Sequence, residues 1–121
     1  MQRDKTSPGT QAHFERDRTQ VAAFRKDRNL LWNWLESFIR AAPGIRHGGS
    51  GPSETLSVGG RSIGETNRLG VSCGSETIAL LRELKLAHVD PAGTLYLHLA
   101  ALPDSVRRRV LRASSAQRSR P

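Results

Sequence analysis

The 121-residue sequence predicts a mainly helical α+β domain, and three stretches carry that expectation. Apolar side chains recur at helical spacing from about Thr19 to Ala42. They do so again from Ser75 to Leu86, and the residues from Thr94 to Leu99 then alternate with the period of a strand. The length allows one domain, with a core large enough to fold alone.

Taken in order, residues 1–18 are polar, mix both charge signs and contain Ser7-Pro8-Gly9-Thr10, which predicts a disordered lead-in. A single domain is expected over residues 19–113. Its first helix, 19–42, sets Phe24, Leu31, Leu35, Phe38 and Ala42 on one face and Arg25, Asn29, Asn33, Glu36 and Arg40 opposite. Pro43-Gly44 ends it. Leu30, Trp32, Trp34 and Ile39 widen the apolar arc, which leaves two readings. The arc packs the core, or Phe24, Leu31, Trp32, Trp34, Leu35 and Phe38 form a homodimer or partner surface.

Residues 43–54 are rich in Gly, Ser and Pro and predict a flexible loop. The following Thr55–Ile63 also has two readings. One is a β-hairpin around Gly59-Gly60. The other is a short extended run through Leu56 and Val58, leading to a helix at 62–69 capped by Ser62 with Glu65 three residues on. The helix is preferred.

Thr77, Leu80, Leu81 and Leu84 follow i, i+3, i+4, i+7 and predict a helix over about 75–87. Asp90-Pro91-Ala92-Gly93 forms a turn. In the strand after it, Leu95, Leu97 and Leu99 face one way and Tyr96 and His98 the other, as ordinary surface residues or, in the alternative, as groups that stack on bases or meet a partner. A last helix, 103–113, turns Val106, Val110 and Leu111 inward and Arg107, Arg108, Arg109 and Arg112 outward. Residues 114–121 make a disordered basic tail.

The net charge of +8 is uneven: residues 1–42 carry 8 basic and 5 acidic side chains, 43–102 carry 5 of each, and 103–121 carry 6 and 1. A neutral centre with basic ends binds phosphate without reading bases, because arginines release condensed counterions wherever they meet the backbone. The same ends also serve as solubilising tails.

Ile63-Gly-Glu-Thr-Asn-Arg-Leu-Gly-Val-Ser72, followed by Thr77-Ile-Ala-Leu-Leu-Arg-Glu-Leu84 and Leu86-Ala-His-Val-Asp-Pro-Ala-Gly-Thr-Leu-Tyr-Leu-His-Leu99, resembles the winged helix-turn-helix superfamily over about 40 residues. The resemblance implies a recognition helix, a two-stranded wing and a small DNA-binding, transcription-regulatory protein whose partner is double-stranded DNA. It implies contacts near the groove from Ser72, Ser75, Thr77 and Arg82, contacts near the backbone from Arg61 and Arg68, and phosphate contacts from Arg107, Arg108, Arg109 and Arg112. The outward face of the candidate recognition helix, Ser75, Glu76, Ala79, Arg82, Glu83 and Leu86, holds two acids against one base. The alternative is an adaptor or inhibitor that holds a protein partner through the tryptophan-bearing first helix.

Gly70-Val-Ser-Cys-Gly74 matches the nucleophile-elbow pattern G-x-S-x-G, with Asp90 and His98 following in triad order. The chain is too short for the parallel sheet that an elbow needs, so a non-enzymatic protein is expected. Cys73 is the single cysteine, and His13, His47, His88 and His98 lack metal-site spacing; neither metal nor cofactor is expected. The amino terminus lacks the apolar run of a secretory signal and no stretch is long enough to span a bilayer, which predicts a soluble cytoplasmic or nucleoid-associated protein.

Overall fold

The computed structural model describes residues 8–59 and 71–118, which form four α-helices and one antiparallel sheet of four strands. Helix α1 spans Pro8–Lys26 and α2 spans Arg28–Ala41. Where the sequence reads one helix, the chain breaks at Asp27. Its extended backbone ends α1, and its carboxylate accepts the Asn29 amide at 3.0 Å as the N-cap of α2. Aspartate suits that position because a short carboxylate satisfies an amide the helix leaves free. The break is hidden in the apolar stripe because Phe24 on one helix and Leu31 on the next enter the same core.

Helix α1 also corrects the expected lead-in. Proline at the first helical position needs no amide partner, and α1 starts at Pro8. By Asp17 it is packed tightly enough to leave that side chain 4% exposed.

Strands β1 (Arg46–Gly48), β2 (Thr55–Val58), β3 (Ala87–Val89) and β4 (Leu95–His98) lie in the order β1-β2-β4-β3. The hairpin expected around Pro91 is β3–β4, and the sheet has twice that number of strands. The expected loop 43–54 contains β1 and a short 3₁₀ turn at Gly51–Ser53. Gly49 makes the bend between them possible: its φ is +70°, and a Cβ there would lie 2.4 Å from the Ser53 carbonyl oxygen.

Strand β2 pairs with β1 along one edge (Arg46 opposite Ser57, His47 opposite Leu56) and with β4 along the other (Leu56 opposite Leu97, Val58 opposite Leu95). With both edges of Leu56 and Ser57 taken, the hairpin around Gly59-Gly60 has no edge to pair on. Residues 60–70, including the predicted helix 62–69 and the candidate contacts Arg61 and Arg68, lie outside the described residues.

Helix α3 spans Ser75–Glu83 and ends before the predicted 87. Lys85 turns left-handed, with φ at 62°. Its amide donates to the Arg82 carbonyl at 3.0 Å and the Leu86 amide to the Leu81 carbonyl at 2.9 Å, the paired bonds of a Schellman ending. The turn buries Leu86, which the longer helix would have left outward. Helix α4, Asp104–Arg118, packs on α2 and buries Ala113 and Ser114, so the expected tail is helical through Arg118.

The core joins all four helices to one face of the sheet. Leu31, Leu35, Phe38 and Ile39 of α2 meet Val106 and Val110 of α4, Leu80 and Leu81 of α3, and Leu56, Val58, Leu95 and Leu97 of the strands. Each such side chain contributes about 1.5–3 kcal/mol by leaving water. The Trp34 ring stacks on Phe38 at 5.1 Å and 8°, and its Nε1 donates to the Ser72 carbonyl at 2.9 Å, which satisfies its one polar atom. Among the described residues no helix is long and apolar enough to cross a membrane.

Candidate nucleic-acid interface

Helices α1 and α3 lie side by side and run the same way: Asp17 meets the amino end of α3 and Arg25 its carboxyl end. At the amino end, the Asp17 carboxylate accepts the Glu76 amide at 2.8 Å and the Thr77 hydroxyl through its other oxygen. The Gln20 amide group donates to Thr77 Oγ1 at 3.0 Å and to the Ser72 carbonyl at 3.2 Å. Gly74 makes room for the acid, since a Cβ there would stand 2.5 Å from Asp17 Oδ2.

A helix amino terminus is a natural seat for phosphate. Here the chain's own carboxylate occupies it. Two expected groove contacts are corrected by this arrangement: Thr77 is 0% exposed with its hydroxyl committed to Asp17 and Gln20, and Ser72 is 5% exposed. The sequence already held the sign for Thr77, which sits on the same stripe as Leu80, Leu81 and Leu84. Ser75 and Arg82 are exposed on the outward face with Glu76, Ala79 and Glu83.

At the carboxyl end the charges reverse. The Arg25 guanidinium forks onto Glu83, Nη1 to Oε2 at 2.8 Å and Nη2 to Oε1 at 2.9 Å. That hydrogen bond and the charge behind it hold the Glu83 carboxyl below its ordinary value, with Arg28 adding to the effect. Arg82 and Lys85 are exposed on the same end of the helix. Arg25 and Arg28 therefore act on one acid at the end of the helix where cations also complement the dipole, and Arg82 and Lys85 are exposed at that same end. Sequence reasoning named only Arg82 of these. Read as one helix, residues 19–42 put Arg25 on a solvent face, and the signal that could have found it was the capping preference of Asp27.

The α4 arginines divide into two kinds. Arg109 donates from Nε to Glu36 Oε1 and from Nη2 to Asn33 Oδ1, both at 2.7 Å, and so ties α4 to α2. Burial pushes the Glu36 carboxyl up, but Arg109 and Arg40 outweigh it and leave the group below its ordinary value. Arg107 pairs with Asp104 at 3.2 Å. Arg108 and Arg112 are exposed and form no ion pair among the described residues.

The proposed dimer or partner surface is corrected as well. Phe24, Leu31, Trp34, Leu35 and Phe38 are between 0% and 7% exposed in the single chain, so their area is already consumed by its own core. Trp32 is half-buried, and Leu30 alone of the large apolar side chains described is openly exposed. The elbow pattern fares similarly. Ser72 is buried, and burial with the nearby Asp17 charge pushes the Cys73 thiol up to about 12. Set against family models, curated proteins and solved structures, the chain matches none.

Proposed function

We propose that the chain is a small non-enzymatic protein that binds double-stranded DNA and regulates transcription, using a helix and hairpin arranged as in winged helix-turn-helix modules. The observation that carries this reading is the position of β4 between β2 and β3, with α3 leading through the Lys85 turn directly into β3. Helix and hairpin tip are thereby fixed to one sheet. The tip is rigid in its own right: Asp90 Oδ1 accepts the Ala92 and Thr94 amides at 3.0 and 2.9 Å, and Gly93 closes the turn with φ at +89°.

The electrostatics favour phosphate-dominated binding over base reading. Arg82 is the one basic side chain on the outward face of α3, while Arg25, Arg28 and Lys85 flank its carboxyl end and Arg108 and Arg112 on α4 form no ion pair among the described residues. Arginine contacts of this kind position a protein on duplex without specifying sequence.

Fluorescence anisotropy with a labelled mixed-sequence duplex tests the reading. Binding should weaken linearly in log–log form between 50 and 200 mM salt, with about 0.9 of slope for each phosphate neutralised. Failure to bind any duplex at the lower salt overturns it.

A further inference from the structure

The outer face of the sheet carries a feature that duplex binding does not use. Arg46, Ser57, Tyr96 and His88 form one row across the four strands, and Thr55 and His98 lie in the next. His88 on β3 and His98 on β4 bring Nδ1 and Nε2 to 2.6 Å of each other. The His88 ring is stacked on Tyr96, with centroids 4.9 Å apart and planes within 10°. Both histidines open into a cleft of about 440 Å³, lined also by Ser53 and Thr55.

We propose that His88 and His98 form a two-imidazole site for a divalent ion of borderline softness, such as Cu²⁺, Ni²⁺ or Zn²⁺. In the free protein the facing nitrogens share one proton, since only one of them can donate. If His88 carries its proton on Nε2 and His98 on Nδ1, the two lone pairs face each other. An ion bonded at about 2.0–2.1 Å to each then takes the place of the shared proton once the rings tilt off their common axis and the nitrogens part, by about 0.3 Å for a square-planar ion and about 0.7 Å for a tetrahedral one. No net proton need leave, because the donor ring only exchanges tautomers.

Part of the ordering cost is met before the ion arrives. Buried Ala87, Leu95 and Leu97 anchor the two strands, and the Tyr96 stack sets the His88 ring plane. Among the described residues no group of three or more His, Cys, Asp or Glu side chains gathers, so the remaining coordination positions face the cleft and fall to water. Imidazole donors suit late first-row ions, with copper the tightest, and are poor ligands for Mg²⁺ or Ca²⁺. The sequence concealed the pair because ten residues separate its members and a turn brings them together.

Calorimetric titration of the untagged full chain with CuCl₂, ZnCl₂ and MgCl₂ tests the site, with electron paramagnetic resonance of the Cu²⁺ form as a second readout. The expected result is one ion per chain, Cu²⁺ tighter than Zn²⁺, no Mg²⁺ binding, and hyperfine structure from two nitrogens. His88→Gln and His98→Gln should each abolish that signature while His47→Gln keeps it. Tyr96→Leu should weaken binding about tenfold, as loss of a ligand-orienting neighbour does. No saturable binding of Cu²⁺ or Zn²⁺, or a two-nitrogen signal that survives either single variant with unchanged circular dichroism, overturns the assignment.

Discussion

Asp17 Oδ2 accepts the Glu76 amide at 2.8 Å across 59 positions of sequence, and so performs for α3 the office of a local N-cap. Gly74, the residue in the cap position, has no side chain to do it. Asp17→Ala should cost about 2–3 kcal/mol in urea unfolding, because the part-buried Glu76 amide and the buried Thr77 hydroxyl lose a charged acceptor together. Asp17→Asn keeps an acceptor and should cost about 1 kcal/mol. Equal losses for the two variants would contradict this account.

Gly74→Ala should be nearly as damaging as Asp17→Ala, since the new methyl group meets the carboxylate at 2.5 Å. In an Asp17→Ala background those carboxylate atoms are gone, and the same change should cost less than about 0.5 kcal/mol. A double-mutant cycle by denaturant unfolding reads the coupling directly. Simple additivity would mean that Gly74 is needed for another reason.

Cys73 is fully buried, and its thiol is pushed from the ordinary 9.0 to about 12. A folded-state value above the unfolded one means that the unfolded chain releases its proton first. The contribution is complete below about pH 9 and is lost as pH rises toward 12, at up to about 1.4 kcal/mol per pH unit. Stability measured across that range should fall less steeply in Cys73→Ala than in the wild type. At pH 8, a thiol reagent should label Cys73 only in denaturant.

Lys85 holds a left-handed conformation that glycine adopts without steric cost. Lys85→Gly should therefore stabilise the protein by about 1 kcal/mol. The thermal midpoint checks this, and a decrease would show that the lysine side chain has a structural partner at that turn.

The basic residues should differ in what they lend to duplex binding. Arg108→Ala with Arg112→Ala should lower the salt slope by up to about 2, whereas Arg109→Ala should change it little because Glu36 and Asn33 hold that guanidinium. Glu83→Ala frees Arg25 and should raise the slope by about 1. Anisotropy titrations at several salt concentrations separate these, and equal effects from Arg108 and Arg109 would refute the division.

Much of the fold could be read in the residues because burial writes itself into spacing. The α3 stripe, the alternation of β4 and the turn at Pro91 appear where periodicity puts them. Periodicity could not show the break at Asp27, since a stripe continues across any joint whose two sides face one core. It was equally blind to β1, three exposed residues with no apolar alternation, held by Gly49 and by pairing with β2. The candidate interface was the least legible part. Which groups flank α3 depends on the docking of α1, and the acid that occupies its amino end is encoded 59 residues away.

The strand order has a consequence for how the chain reaches this structure. β1 and β2 are joined by a short loop, as are β3 and β4, so each hairpin forms from contacts that are near in sequence. Among the strand pairings, that of β2 with β4 is the distant step, and it must wait for Val58 and Leu95 to come together. The speed limit of sheet assembly should lie there. Substitutions at the Leu56–Leu97 seam would be expected to slow refolding, while those within either hairpin mainly hasten unfolding.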